Sequence, residues 1–299
     1  MPPLIRILSD GRPGHVNQSI GLARALQKRA GGEIEIVTLK DDDSLVEKLG
    51  RAAAFTSERT ADVVIAAGRR THLPLVWTTR MQKAKSVLIM RPSLPRRCFD
   101  FLLIPEHDLS KDPGGHIIRT KGALNKISED ATEKQQKGLI LIGGESRHSS
   151  WDKEGLLKAL HEILSRSTDL EWTLTDSRRT PNDFLPAIQK LSLPVTILPH
   201  QETSEDWLPE QLSVSRDVWV TPDSASMVNE ALTARCAVGL LPLPQHDTKV
   251  SRGVVRAVSE GAITSYEDWE KGQSLAVGST SFHEAARCAD LLIERGLFR

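Results

Sequence analysis

The sequence has no surplus of charge of either sign: 39 Lys and Arg stand against 39 Asp and Glu in 299 residues. Proteins that live on phosphate backbones or anionic lipid draw affinity from counterion release or surface potential, and carry a basic excess. The balance therefore argues against a nucleic acid or a membrane as the main ligand. Long apolar runs are also missing. Stretches such as 139–142 and 237–241 fall far short of the roughly 20 residues that span hydrocarbon. The first residues, Met-Pro-Pro-Leu-Ile-Arg-Ile-Leu, read as a strand rather than as a leader peptide, so a cytoplasmic location is expected. Cysteine is scarce. Cys98, Cys236 and Cys288 are odd in number and form no C-x-x-C pair, which argues against a disulfide framework and a zinc site; three small buried hydrophobes are expected. Aromatic residues make up only 4% of the chain, so no base-stacking or sugar-stacking residue stands out.

What is present is an ordinary globular composition, 39% hydrophobic and 26% charged, at a length that suits two domains. Short apolar runs alternate with stretches of helical period, the pattern of α/β units on a parallel sheet. Strands are expected at 5–9, 34–39, 63–66, 86–90 and 101–104, and a helix at 17–30. A polar segment over 122–137 breaks the rhythm, and the plan then repeats with strands at 139–142, 171–175, 195–198, 217–221 and 237–241. This predicts a first domain over 1–133 and a second over 134–299. The terminal helix, about 283–299, is expected to pack back on the first domain. Ligands of open parallel sheets bind outside the carboxyl ends of the strands, so the strand-to-helix loops are the candidate sites, facing a cleft.

The first loop, Asp10-Gly11-Arg12-Pro13-Gly14-His15, continues into Asn17-Gln18. It matches neither G-x-G-x-x-G nor a phosphate loop, but it crowds more polar groups into one turn than capping needs. Its His15 is the member able to move protons near neutral pH. Gly68-Arg69-Arg70-Thr71 reads either as a solvated helix start or as an anion site. Pro105-Glu106-His107-Asp108 offers Glu106 as a general base; its spacing could also suit a metal, but a helical H-E-x-x-H is absent and no metal is expected. In the second half, Gly143-Gly144-Glu145-Ser146-Arg147-His148 and Ser177-Arg178-Arg179-Thr180-Pro181 bring glycines, hydroxyls and guanidinium groups suited to a diphosphate. Asp223-Ser224-Ala225-Ser226-Met227 opens a helix in which Glu230 sits one turn inside, on the face of Ser226. That carboxylate is placed to hold a ribose diol; its alternative is a solvated surface residue. Six of these arginines, Arg12, Arg69, Arg70, Arg147, Arg178 and Arg179, fall at strand ends, so a neutral total can conceal a basic cleft.

These motifs, taken in order, resemble the family of bacterial proteins related to the plant mitochondrial-fission (elongated-mitochondria) protein, and that family is similar to glycosyltransferases with two Rossmann-like domains, the GT-B type. The resemblance implies an α/β fold of two Rossmann-like domains with parallel sheets, the first presenting an acceptor and the second binding a nucleotide-sugar. It further implies a metal-independent sugar transfer from a nucleoside-diphosphate-sugar donor, with no separate cofactor. Catalysis would rest on His15 or Glu106. Donor contacts would come from Gly14, Gly143, Gly144, Ser146, Arg147, Ser177, Arg178, Arg179, Asp223, Ser224, Ser226, Met227 and Glu230. The alternatives are a nucleotide-sugar epimerase and a non-catalytic interaction protein. No nucleic-acid partner and no transmembrane segment are expected, and peripheral membrane contact stays open.

Overall fold

A computed structural model describes all residues except 1, 41–42, 45–46, 51–58, 109–113, 131, 147–148, 247–252, 254–256 and 278–281, and the side chain of His107. Two compact units result. Unit 1 comprises Met1–Lys126 with His283–Arg299, and unit 2 comprises Ile127–Phe282.

Unit 1 is built on strands β1 (Leu4–Ser9), β2 (Glu33–Thr38), β3 (Val63–Ala67), β4 (Lys85–Ile89), β5 (Phe101–Pro105) and β6 (Ile117–Thr120). They form a parallel sheet in the order β2-β1-β3-β4-β5-β6. Every residue of β1 and β3 is buried, as a sheet covered on both faces demands. On β1, Ile5 and Ile7 enter one core while Leu4 and Leu8 enter the other. Arg6 is fully buried between them, held by Glu35 at 2.7 Å and by the side-chain oxygen of Gln82 at 2.9 Å. Helix α1 (Pro13–Ala30) follows β1 and helix α2 (His72–Gln82) follows β3. Helix α1 starts four residues earlier than the apolar spacing predicts. Gly11, at φ 74°, turns the chain off the strand, and Pro13 supplies a helical φ at the first position. Gly14 and His15 are therefore helical residues, not loop residues.

Unit 2 carries β7 (Gln135–Leu141), α3 (Lys153–Arg166), β8 (Glu171–Thr175), α4 (Phe184–Lys190), β9 (Val195–Ile197), α5 (Trp207–Val214), β10 (Ser215–Val220), α6 (Ala225–Thr233), β11 (Ala237–Leu240), β12 (Thr264–Ser265), α7 (Tyr266–Glu270) and β13 (Ala276–Val277). The sheet order is β12-β11-β10-β7-β8-β9, all parallel, with β13 antiparallel on β11. Counted from its own first strand, this is the 3-2-1-4-5-6 order of dinucleotide-binding sheets. Residues 127–133, read above as the end of the first domain, fall in unit 2. Ile127 is buried with Leu139 and Leu212, and the Lys134 ammonium donates to the carbonyls of Leu212 and Ser213.

The last helix, α8 (Glu284–Glu294), is part of unit 1. Its Ala285, Cys288, Ala289 and Leu292 share a core with Leu22 and Leu26 of α1. Polar ties surround that core: the Lys121 N–H donates to Glu284 at 2.9 Å, and Arg295 donates to the carbonyl of Ile117 at 2.9 Å. Burial pushes the Cys288 thiol up to about 12 and raises that of Cys236, so both are inert apolar fillers. Cys98 departs from the expectation of three buried cysteines. It ends a short turn, Arg96–Cys98, and is half-buried. Among the described residues no helix is long and apolar enough to cross a membrane.

Candidate functional site

In each sheet the strand order reverses at one point, and the crevice beyond the carboxyl ends there is where open α/β sheets bind ligands. In unit 1 the reversal lies between β1 and β3. The Asp10 side chain, 2% exposed, sits at the end of β1 and accepts the N–H of Arg12 at 3.2 Å. His15, in the first turn of α1, places Nδ1 2.9 and 3.1 Å from the two carboxylate oxygens of Asp10. A carboxylate can only accept here, so Nδ1 carries a proton, and in the neutral form of the ring Nε2 is the acceptor. Gly68, across the reversal at φ 91°, completes the arrangement. A Cβ on it would lie 2.6 Å from Asp10 Oδ2 and closer still to His15 Nδ1. The glycine read above as the head of an arginine turn is thus the space into which the Asp10–His15 pair fits.

Unit 2 reverses between β7 and β10. Gly143 and Gly144 leave β7, and their N–H groups, expected to face an anion, are already engaged. Gly143 donates to Thr221 Oγ1 at 2.7 Å and Gly144 to Asp223 Oδ2 at 3.1 Å. A Cβ on Gly143 would overlap the Asp223 carboxylate, and one on Gly144 would overlap the backbone carbonyl of Arg179. The glycine pair is a packing requirement in its own right. Asp223, whose side chain is fully buried, also binds Arg179 at 2.7 Å, while its Oδ1 has no partner among the described residues. The turn from Ser177 to Thr180 is self-bonded. Ser177 N–H donates to Thr180 Oγ1 at 2.9 Å, and the Thr180 hydroxyl donates to the carbonyls of Ile142 and Gly143. Arg178 and Arg179 remain exposed on it.

Helix α6 begins at this junction. Ser224 is its N-cap residue yet makes no capping bond from its side chain, so the positive end of the helix is not closed by its own sequence. Glu230 is 7% exposed, not solvated as its alternative reading had it, and accepts the Ser226 hydroxyl at 3.4 Å. Met227 packs partly against the core beneath. Ser146 is half-buried beside Ser149, and Arg147 lies outside the described residues. Gly14 has open space where a Cβ would stand. Glu106 is exposed at the end of β5, three strand positions from β1, about 14 Å at the usual spacing. Unit 1 therefore brings His15, and not Glu106, to its reversal.

Two features escaped the sequence reading. Asp176, at the end of β8, accepts both the N–H of His200 at 2.7 Å and its Nδ1 at 2.9 Å, a second carboxylate–imidazole pair. No periodic signal marks a pair 24 residues apart. A cavity of about 180 Å³ lies at the ends of β11 and β12, lined by Leu241, Pro242, Gln245 and Tyr266 among others. Burial and the bond from its hydroxyl to Glu162 raise the Tyr266 phenol, which is not a proton source near neutral pH. Among the described residues no group of three or more His, Cys, Asp and Glu is arranged to hold a metal ion.

Comparison with known proteins places these features in a family. The model of the family "Mitochondrial fission ELM1" matches residues 13–296. Uncharacterized protein RP120 of Rickettsia prowazekii (strain Madrid E) is 25% identical, over 77% of this chain and 80% of its own. Among solved structures, a putative UDP-N-acetylglucosamine 2-epimerase from Listeria monocytogenes is 14% identical, covering 99% of this chain and 90% of its own with a TM-score of 0.55. UDP-N-acetylglucosamine 2-epimerase from Rickettsia bellii is 12% identical, covering 99% and 96% with a TM-score of 0.50. At such identities the likeness is one of fold: two Rossmann-like α/β domains, as in the GT-B architecture.

Proposed function

The chain belongs to the mitochondrial fission ELM1 family, and from that premise we propose that it is a metal-independent glycosyltransferase. Unit 2 binds a nucleoside-diphosphate-sugar, and His15 of unit 1 takes the proton from an acceptor hydroxyl. The observation that carries this reading is the Asp10–His15 pair. One ring nitrogen is tied to a buried carboxylate, which fixes the tautomer and leaves Nε2 to accept a proton.

In the transfer the acceptor oxygen bonds to the anomeric carbon as its proton passes to His15. The bond from that carbon to the diphosphate breaks, and its electron pair leaves with the diphosphate. Charge builds on the leaving group, where the exposed guanidinium groups of Arg178 and Arg179 and the open N-terminus of α6 are suited to meet it. The buried carboxylate of Glu230, one turn inside α6, suits a ribose diol. With the N–H groups of Gly143 and Gly144 engaged internally, the diphosphate is assigned to the helix end and the arginines instead.

Calorimetry with UDP, GDP and CDP, followed by turnover of the sugar nucleotide that binds, tests the proposal. One nucleotide is expected to bind, Glu230→Gln to weaken it about tenfold, and His15→Gln to keep binding while lowering turnover by about 10²–10⁴. A new sugar isomer formed with no acceptor present would replace the transferase with an epimerase. Absence of any nucleotide affinity would leave the non-catalytic interaction reading.

A further inference from the structure

Helix α2 carries large apolar residues on its outer face as well as on its core face, where Leu75 and Val76 are buried. Seven of its eleven residues are buried, including Thr78, Thr79 and Gln82. Its solvent face carries Leu73, Trp77 and Met81, at 49, 47 and 63% exposure and spaced four residues apart. A helix with one face in a core normally gives its charged residues to water. Here the apolar side chains line up on the wet side, and three large ones on one face amount to a surface that exists for contact. Met90, just past β4, is a further exposed apolar residue of the same stretch of chain, at 37%.

The charge around this stripe is one-sided. From Val63 to Phe99 the chain has eight Lys and Arg and not one Asp or Glu, although the whole chain is neutral. Arg80 and Lys83 stand exposed beside Met81. At the other end, the loop over 91–99 is fastened to the start of α2. Ser93 directs both its N–H and its hydroxyl to His72 Nδ1, at 3.1 and 2.7 Å, and the Phe99 ring meets the His72 ring edge-on. That fastening ties the loop that carries the exposed Arg91, Arg96 and Arg97 to the start of α2.

We propose that unit 1 docks on an anionic lipid surface through this face of α2. An indole, a thioether and a leucine ringed by guanidinium and ammonium groups match the boundary between acyl chains and acidic headgroups, where apolar burial and charge attraction add. The eleven residues are too few to span a bilayer, so the contact is peripheral. Charge complementarity selects lipid phosphate over a neutral apolar partner, because no carboxylate in the stretch would repel it. The proposal is independent of the transferase reading.

Flotation of the full chain with vesicles of phosphatidylcholine alone, or mixed in equal parts with phosphatidylglycerol, tests it. Binding to the mixed vesicles only is expected, falling about fivefold for each charge removed in Arg96→Gln and Arg97→Gln, and on the order of tenfold in Trp77→Ser. These side chains are exposed, so thermal unfolding at the wild-type temperature would establish that the variants are folded. Absence of flotation, equal flotation with both vesicles, or flotation that the substitutions leave unchanged would overturn the proposal. Concentration-dependent self-association abolished by Trp77→Ser, without flotation, would give the face to a second copy and overturn it as well.

Discussion

At the reversal of unit 1 the carboxylate, Asp10, comes from the end of the first strand, and the glycine that makes room for it, Gly68, comes from the strand across. In unit 2 the first strand gives the glycines, Gly143 and Gly144, and the strand across gives the carboxylate, Asp223. The same packing motif, a buried carboxylate lying over a bare Cα, appears with its parts exchanged. What differs is the partner. Asp10 is spent on an imidazole whose far nitrogen stays available, whereas Asp223 is spent on a guanidinium and a backbone N–H. One arrangement leaves a ring nitrogen open beyond the carboxylate; the other ties a glycine turn to an arginine.

The exchange can be broken at the glycines. Gly144→Ala would drive a Cβ into backbone and is expected to cost about 3 kcal/mol or more in urea unfolding. Gly68→Ala meets side chains that can swing aside and should cost about 1–3 kcal/mol, the strain of its positive φ included, while ending turnover. Equal costs would dissolve the distinction between the two arrangements. Removing the partners is the next test. Arg179→Ala leaves a fully buried carboxylate with one N–H donor, for about 2–3 kcal/mol given the partial exposure of the arginine. His15→Ala should cost about 1 kcal/mol. A larger loss from His15 than from Arg179 would reverse the assignment.

Acid should weaken unit 1 more gently. Burial, and next the charge of Arg69, hold the His72 imidazole below its ordinary value. In the window between that lowered value and about 6.5 the unfolded chain binds a proton that the folded one does not. Stability therefore falls as pH drops below about 6.5. Imidazole resonances followed by NMR should show His72 titrating on the acid side of an exposed histidine; titration at the ordinary value would remove it as the acid-sensitive fastening of the 91–99 loop. The smallest effect sharpens the picture of α6. Asp152 caps α3 by accepting the N–H of Gly155 at 3.0 Å, so Asp152→Ala should cost about 1 kcal/mol. Ser224→Ala should cost only a few tenths of that unit in thermal unfolding; a full capping loss would mean that the helix end is already closed.

The sheets were legible because parallel strands covered on both faces are runs of apolar residues. The strand expected at 171–175 matches β8 (Glu171–Thr175), and the others shift by a few residues at their ends. Strands without such a run were not legible. β6 ends in Arg119 and Thr120, and β12 and β13 have two residues each. The site was legible as a set of loops but not as a set of contacts. His15 stands out by its chemistry, whereas its dependence on Gly68 spans 53 residues and exists only after β1 and β3 pair. The engagement of the Gly143 and Gly144 N–H groups was hidden for the same reason, since their acceptors, Thr221 and Asp223, lie in the loop after β10. The one-sided charge of 63–99 was masked by a neutral total.

Unit 1 is assembled from two pieces of chain, and the ribosome delivers them in a fixed order. Its sheet emerges first, but Ala285, Cys288, Ala289 and Leu292 of α8, which close the core over α1, come out only after every residue of unit 2. During synthesis the nascent first unit waits with its α1 side uncovered while unit 2 is completed. A fragment cut at residue 126 would reproduce that waiting state permanently, whereas one joining residue 126 to residue 283 through a short linker would carry the finished core.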